Sequence, residues 1–283
     1  MTQQLTAPGI RARKGGSPIV MVTAYDSPGA RIADDAGVDI ILVGDSVAMV
    51  VLGYDDTLQV TIADMAHHVG AVGRAGPRAM VVADLPWLSY HASPAETVQN
   101  AGILVRAGAQ AVKLEGGSPA RLVMVGALVD AGIPVMGHIG LTPQSVHVQG
   151  GYRVQGRELD QAEALAAEAE ALASAGCFSI VLEGIPAELA RLVTGGVDVP
   201  TIGIGAGPHC DGQVLVFHDL LGLEDRVVPK FVRRYASMKA DAVAAVSLFA
   251  QDVRAGRFPS EAESYHVTGD TARGLDRGSS RTA

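Results

Sequence analysis

The most informative stretch of this sequence is Val112-Lys113-Leu114-Glu115-Gly116-Gly117, which has the pattern of a short buried strand that ends in two charges and two glycines. Side chains alternate between the two faces of a strand, so Lys113 and Glu115 share one face and Leu114 lies on the other. Placing a Lys and a Glu on the inner face of an otherwise apolar strand is costly unless something binds there. We therefore expect a functional site at the end of this strand.

Four other segments repeat this pattern, in which an apolar run stops on a polar side chain. They are Ile41-Leu42-Val43-Gly44-Asp45-Ser46, Val81-Val82-Ala83-Asp84-Leu85-Pro86, Val135-Met136-Gly137-His138 and Ile180-Val181-Leu182-Glu183-Gly184. Five strands with polar groups at their C-terminal ends predict one shared site.

The alternation of apolar runs and helical patterns predicts an α/β fold. Strands are expected at residues 19–23, 40–43, 79–83, 111–114, 134–138, 179–182, 201–204 and 213–216. Amphipathic helices separate most of them, with Ser27, Thr61 and Ser93 as expected caps. Eight such strands imply a parallel sheet closed into a (β/α)8 barrel, or TIM barrel. Residues 205–212 are too few for a crossover helix, so either that helix is reduced to a turn or the eighth strand is wrong.

The length of 283 residues would allow two domains, but α/β barrels commonly reach this size as one. We expect residues 1–16 to be a polar lead-in that covers the lower end of the barrel. Residues 17–260 would form the barrel with a C-terminal helix near 236–254. Residues 261–283 form a polar tail without apolar periodicity, and we expect this tail to be disordered.

The composition limits the partners and the compartment. Hydrophobic residues make up 48% and aromatic ones only 4%, so a large core must be built from aliphatic side chains. The net charge of −8 argues against a nucleic acid or an anionic membrane as the main partner. Two cysteines form no disulfide framework and fit a reducing compartment. With no signal peptide and no apolar run of membrane-spanning length, we expect a cytoplasmic protein.

Barrel enzymes carry their chemistry at the C-terminal ends of the strands. The residues expected there are Asp45, Asp84, Lys113, Glu115, His138 and Glu183. Each also has a structural explanation: the aspartates could be caps or turn residues, Lys113 and Glu115 could neutralise each other, His138 could be a hydrogen-bonded core residue, and Glu183 could face a helix dipole.

Taken together, the acids favour a functional explanation. A barrel does not need three or four carboxylates at one end for stability, and burying them unpaired is unfavourable. A divalent cation resolves this conflict, and carboxylate oxygens at a water-accessible site suit Mg²⁺. The pattern predicts a metal-assisted barrel enzyme without identifying its substrate. The segment Gly203-Ile204-Gly205-Ala206-Gly207 could cradle a phosphate, although a tight turn explains it at least as well.

A series of longer motifs runs through the chain in uninterrupted order. They are Thr23-Ala24-Tyr25-Asp26, Gly44-Asp45-Ser46, Val51-Leu52-Gly53-Tyr54-Asp55, Ala83-Asp84-Leu85-Pro86, Ala111-Val112-Lys113-Leu114-Glu115-Gly116-Gly117, Gly140-Leu141-Thr142-Pro143-Gln144, Gly150-Gly151 with Val154-Gln155-Gly156, and Gly203 to Gly207 through His218-Asp219. On these motifs the sequence resembles the ketopantoate hydroxymethyltransferase family over about residues 17–260. The tail after Tyr265 departs from that family and carries no candidate site residue.

The resemblance implies a barrel of the phosphoenolpyruvate/pyruvate type that assembles as a homodecamer, a pentamer of dimers. It implies transfer of a hydroxymethyl group from methylenetetrahydrofolate to 3-methyl-2-oxobutanoate (α-ketoisovalerate), which gives 2-dehydropantoate (ketopantoate) for pantothenate and coenzyme A synthesis. One Mg²⁺ per subunit would be required. The roles carried over by motif are metal binding for Asp45, Asp84 and, directly or through water, Glu115; substrate binding for Asp45, Ser46, Asp84, Lys113 and His138; and proton acceptance for Glu183.

Two other functions stay open at this point. One is a carbon–carbon lyase of the same barrel type, similar to isocitrate lyase, whose catalytic Cys lies in a Lys/Cys/Gly/His loop. Neither Cys177 nor Cys210 lies in such a sequence. The other is a keto-acid-binding barrel that kept the metal pocket and lost turnover, against which the presence of Glu183 argues.

Overall fold

The computed structural model of the protein describes residues 4–224, 228–269 and 271. Its centre is a closed barrel of eight parallel strands in sequence order, in which the eighth strand pairs with the first. This confirms the predicted fold class. The strands are β1 (Ile19–Thr23), β2 (Ile40–Val43), β3 (Met80–Asp84), β4 (Ala111–Glu115), β5 (Val135–Gly140), β6 (Ser179–Glu183), β7 (Thr201–Ile204) and β8 (Gly212–Leu215).

Helices follow most of the strands. They are α1 (Ala7–Arg11), α2 (Ser27–Asp35), α3 (Val47–Val50), α4 (Ile62–Gly73), α5 (Pro94–Ala107), α6 (Pro119–Asp130), α7 (Val146–Gln149), α8 (Leu159–Ser174), α9 (Ala187–Gly196), α10 (Phe217–Leu221) and α11 (Met238–Arg254), with 3₁₀ turns at Pro143–Ser145 and Glu261–Glu263. Thr61 and Ser93 cap α4 and α5 as expected. The cap of α2 is Asp26, which accepts a hydrogen bond from the Gly29 amide, and the prediction of Ser27 was wrong.

The connection between β7 and β8 resolves the alternative left by the sequence. The eighth strand is present, one residue earlier than predicted, and residues 205–211 make a turn in place of the crossover helix. Gly205 and Gly207 have φ values of +63° and +76°, which L side chains rarely adopt. The glycine-rich segment is therefore explained by the tight return of the chain into β8.

Two apolar layers position the mouth of the barrel. Val22, Ile41 and many other strand residues face outward and pack under the helices, while Met21 and Ile40 belong to a smaller cluster of side chains on the opposite, inner face. Fully buried Ile10 of α1 packs into this inner cluster, so the lead-in closes the N-terminal end of the barrel. Apolar packing therefore fills the lower part of the barrel and leaves polar groups to the C-terminal end.

Asp211 ties the lead-in to the β7–β8 turn. Its carboxylate accepts hydrogen bonds from Lys14 Nζ, the Gly15 amide and the Thr201 amide at 2.8–2.9 Å. Burial raises the pKa of this carboxyl group, but the three donors outweigh burial and lower the pKa overall. The N-terminal end is thus held by a charged group that stabilises the fold only while it is ionised.

The chain divides into two compact units between Tyr235 and Ala236. The first contains the barrel and the second contains α11. The domain boundaries predicted at residues 16 and 260 stay predictions, and most of the expected tail, from residue 270 onward apart from 271, lies outside the described residues. In the part of the chain that is described, no helix combines the length and the apolar character needed to cross a lipid bilayer.

Candidate active site

The C-terminal ends of five neighbouring strands bring the predicted polar residues to one place. Lys113 and Glu115 lie on the inner face of β4, each about 5% exposed, while Leu114 between them packs under the helices. Contacts between side chains or between a side chain and the main chain link all the predicted groups into one cluster at this end of the barrel. Its members are Asp45, Asp84, Lys113, Glu115, His138 and Glu183.

Asp45 and Asp84 lie side by side at the ends of β2 and β3. Asp84 Oδ2 accepts a hydrogen bond from the Asp45 amide at 3.0 Å, and Asp84 Oδ1 lies 2.9 Å from Lys113 Nζ. A Cβ on Gly44 would lie 2.8 Å from Ser46 Oγ and 3.5 Å from Asp84 Oδ2. The glycine before Asp45 therefore allows the end of β2 to approach the second carboxylate closely.

Lys113 and His138 supply the positive charge of the cluster. Burial lowers the pKa of Lys113, but the carboxylates of Asp84, Glu115 and Asp45 outweigh burial and raise the pKa above its usual range. Lys113 Nζ lies 3.3 Å from His138 Nδ1. Both side chains are buried, so their charge acts in a medium of low polarity.

His138 lies between two glutamates. Its Nδ1 is 3.5 Å from Glu115 Oε1, and its Nε2 is 3.2 Å from Glu183 Oε2. Burial and the charge of Lys113 lower the pKa of His138, but the two carboxylates outweigh both effects and raise it to about 9. The raised pKa favours the protonated imidazole, which can donate to both carboxylates. Glu183 is the most open of the four acids, with 16% of its side chain exposed, so its carboxylate can meet a bound molecule.

Ser46 lies at the start of the short helix α3, directly after Asp45. Its hydroxyl is 2.8 Å from the Tyr25 hydroxyl at the end of β1. Burial raises the pKa of Tyr25, so this phenol is neutral and can share its proton with Ser46. Tyr25 belongs to a motif that the sequence analysis quoted, but no role was assigned to it there.

Sequence reasoning also missed two residues that contact the acids. Gln144 and Tyr90 are buried, and both form hydrogen bonds within the cluster. Gln144 ends the motif Gly140–Gln144 at the end of β5, and its place in that motif is the signal that could have found it. Tyr90 lies in the loop after β3 and carried no comparable signal.

The charges of the cluster leave room for a dication. Its four carboxyl groups outnumber the two basic side chains, Lys113 and His138, by two. The pKa of Asp45 is raised well above its usual range by burial and by the nearby Asp84 and Glu115. A bound divalent cation would remove this conflict, so the donor set fits Mg²⁺ in charge and in ligand chemistry.

Among residues 4–224, 228–269 and 271, no group of three or more His, Cys, Asp or Glu side chains is arranged to hold a metal ion. Mg²⁺ commonly needs only one or two protein carboxylates, because substrate oxygens and water complete its coordination shell. Asp45 and Asp84 lie side by side at the ends of neighbouring strands, and Glu115 contacts His138 and the Gln144 amide.

Solved structures with the same architecture define the class of barrel. A phosphonopyruvate hydrolase determined with oxalate and Mg²⁺ aligns with a TM-score of 0.61 at 13% identity, covering 98% of both chains. A 2,3-dimethylmalate lyase, described as a member of the PEP mutase/isocitrate lyase superfamily, aligns with a TM-score of 0.58 at 18% identity, covering 98% of this chain and all of the other. The chain therefore shares the TIM-barrel fold of these proteins.

Sequence comparison narrows the class to one family. The family model described as ketopantoate hydroxymethyltransferase matches residues 4–261. The 3-methyl-2-oxobutanoate hydroxymethyltransferase of Moorella thermoacetica is 56% identical to the chain, and the alignment covers 93% of this chain and 98% of the relative. That of Methylobacterium sp. is 55% identical, and the alignment covers 96% of this chain and 94% of the relative. The chain belongs to the ketopantoate hydroxymethyltransferase family, a family of transferases.

Proposed function

We propose that the protein transfers a hydroxymethyl group from methylenetetrahydrofolate to 3-methyl-2-oxobutanoate and forms 2-dehydropantoate for pantothenate and coenzyme A synthesis. Membership of the family supports the reaction type. The observation that carries the proposal is the cluster itself, in which four acids and two cations from five strand ends meet with an excess of negative charge. Such a site suits a metal-dependent reaction of a small anionic substrate.

Asp45 and Asp84 would hold one Mg²⁺ per subunit, and Glu115 would act on it through water. When bound, the ion would act as a Lewis acid toward the 2-oxo acid. Oxalate, present with Mg²⁺ in the phosphonopyruvate hydrolase structure, has two adjacent oxygens that resemble the carboxylate and keto oxygens of a 2-oxo acid. The analogy supports a site of this kind at the barrel mouth.

The side chains of this chain would divide the remaining work between binding and proton transfer. Ser46, Lys113 and His138 would bind the substrate, and the two cations would stabilise negative charge as it develops on the keto oxygen. Glu183 would accept the proton from C3, because it is the most accessible acid and its carboxylate is oriented by His138. C3 would then form a bond to the one-carbon unit; overall, water supplies the hydroxyl oxygen of the product and tetrahydrofolate is the leaving group.

The proposal includes the assembly and location that the family resemblance implies. The partners would be the keto acid and the folate, and the chains would assemble as a homodecamer, a pentamer of dimers. The enzyme would act in the cytoplasm, consistent with two unpaired cysteines. Size-exclusion chromatography with light scattering would measure the assembly directly.

The lyase alternative finds no support at the site. Cys177 packs in the layer between strands and helices, and Cys210 lies in the turn that leads into the start of β8. Neither sulfur is among the groups at the C-terminal ends of the strands. A thiol acid such as the lyase reaction uses is therefore missing from the cluster.

The decisive experiment follows the C3 proton of 3-methyl-2-oxobutanoate by NMR in D₂O with protein and Mg²⁺ but without folate. We expect enzyme-dependent loss of this signal, and a loss of rate of about 10²–10⁴-fold in Glu183→Gln. Removing Mg²⁺ with a chelator should also abolish exchange. The control is Glu188→Gln, an exposed glutamate on α9 that should exchange like the wild type.

Adding methylenetetrahydrofolate and measuring 2-dehydropantoate then separates the transferase from a keto-acid-binding barrel. Exchange of the C3 proton without formation of 2-dehydropantoate would support only the enolisation step of the proposal. Exchange no faster than in buffer, with wild-type protein and Mg²⁺, would show that the assigned chemistry is wrong.

A further inference from the structure

Gln144 is a buried glutamine that contacts the cluster from the loop after β5. It lies in the 3₁₀ turn Pro143–Ser145 and is about 6% exposed. Its Nε2 donates hydrogen bonds to Asp45 Oδ2 at 2.8 Å and to the Leu85 carbonyl oxygen at 3.0 Å. Its Oε1 accepts a hydrogen bond from the Tyr90 hydroxyl at 2.6 Å. Both N–H donors and one of the two acceptor sites of this amide are thus used inside the protein.

The same two residues also contact Glu115. The Gln144 main-chain amide donates to Glu115 Oε2 at 3.0 Å, and the Tyr90 hydroxyl accepts from the Glu115 amide at 3.2 Å. Gln144 and Tyr90 therefore fix the carboxylate of Asp45 and both the side chain and the backbone of Glu115. The contact between Gln144 and Asp45 joins residues that are 99 positions apart in the sequence.

The chemistry of the partners requires an amide at position 144. The Asp45 carboxylate and the Leu85 carbonyl are acceptors only, so both need a donor. The Tyr90 hydroxyl, with an ordinary pKa near 10, is protonated and needs an acceptor. A glutamine side chain supplies both on one planar group, whereas a carboxylate at this position would face Asp45 with a second negative charge.

Tyr90 is itself held in place from α6. The Arg121 guanidinium lies 5.2 Å from the centre of the Tyr90 ring, and its Nη1 donates to the Tyr90 carbonyl oxygen at 3.0 Å. Tyr90 and Gln144 are therefore held by contacts from two separate elements, α6 and the loop after β5.

We propose that Gln144 and Tyr90 are positioning residues that orient the carboxylates of Asp45 and Glu115 for Mg²⁺. This inference rests on the proposed function, because it assumes that those carboxylates act on the ion. Neither residue needs to touch the metal or the substrate for this role. Removing hydrogen-bonding partners of metal ligands typically costs 10–100-fold in metal affinity or activity.

The test compares Gln144→Met, which keeps the length of the side chain and removes its polar atoms, with Tyr90→Phe, which removes only the hydroxyl. We expect Mg²⁺ affinity, measured by calorimetry in the presence of 3-methyl-2-oxobutanoate, to fall about 10–100-fold in Gln144→Met. Tyr90→Phe should lower the Mg²⁺ affinity less, because the hydrogen bond from Gln144 to Asp45 remains. At saturating Mg²⁺ the KM for the keto acid and kcat are measured separately.

The matched control is Gln110→Met. Gln110 also bridges distant main-chain groups, the Leu5 carbonyl and the Val81 amide, but at the N-terminal end of the barrel. We expect the Gln110→Met variant to have a lower melting temperature than the wild type and an unchanged Mg²⁺ affinity. This control separates a loss of positioning from a general loss of stability.

The outcomes distinguish this inference from the proposed function. If wild-type protein binds no Mg²⁺ and makes no product, the proposed function is wrong, and the inference that depends on it is wrong as well. If the wild type binds Mg²⁺ and turns over, but Gln144→Met and Tyr90→Phe keep its affinity, the positioning role is wrong. If Gln144→Met fails to fold, Tyr90→Phe decides: unchanged Mg²⁺ affinity overturns the inference, and reduced affinity with a folded protein supports it.

Discussion

Replacing Gly140 by alanine tests whether the backbone at the end of β5 sets the position of Glu183. Gly140 pairs with Glu183 across β5 and β6, and its φ is +95°, which L side chains rarely adopt. A Cβ added there would lie 2.7 Å from Ile185 Cγ2 and closer still to the Glu183 carbonyl oxygen. The methyl group can be accommodated only if the end of β6 moves.

The size of the effect follows from these contacts. Ordinary carbon contacts begin near 3.5 Å, so the backbone at Glu183 must shift by about 1 Å. The unfavourable backbone conformation costs about 1–2 kcal/mol, and overpacking costs about 1–3 kcal/mol. We therefore expect Gly140→Ala to lose about 2–5 kcal/mol of unfolding free energy. A displacement of this size at the proposed base Glu183 should lower kcat/KM by about 10²-fold.

Urea unfolding and the rate of 2-dehydropantoate formation measure the two effects. The control is Gly126→Ala in α6, where an added Cβ meets nothing within 4 Å. Alanine there should stabilise the protein by about 0.5–1 kcal/mol and leave activity unchanged. If Gly140→Ala matches Gly126→Ala in both stability and activity, the argument that Gly140 positions Glu183 is refuted.

Two further predictions concern groups outside the cluster. Asp211→Ala should cost about 1–3 kcal/mol of unfolding free energy at pH 7, because it removes the acceptor of Lys14, Gly15 and the buried Thr201 amide. Since the pKa of Asp211 is lowered in the folded state, its contribution is complete above about pH 4 and is lost as the pH falls further. Urea unfolding at pH 7 and pH 3 should therefore show a smaller difference between variant and wild type in acid. Burial raises the pKa of the Cys177 thiol to about 12. In the folded Cys210→Ser variant, a disulfide reagent at pH 8 should therefore leave Cys177 unmodified, and in urea the reagent should modify it fully. Fast labelling of the folded variant would contradict the burial of Cys177.

The strand order and the location of the cluster could be predicted from the sequence because both depend on local patterns. An apolar run bounded by glycine and a polar residue marks a strand and its end, and alternation along β4 puts Lys113 and Glu115 on one face whatever surrounds them. The roles assigned to the cluster residues stay predictions. The cap of α2 was missed because Asp26 and Ser27 are both good cap residues, and only the backbone conformation distinguishes them.

The sequence by itself determined that eight apolar strands alternate with helices and that polar groups follow five of them, since these are regularities over a few residues. Only the tertiary structure decided which groups touch. Gln144, Tyr90 and Tyr25 come from loops or strand ends whose partners are distant in sequence, and no periodicity records those contacts. The closure of the barrel brings them together, because packing of the helices around the strands fixes the loop paths, and burial then requires every polar atom there to find a partner.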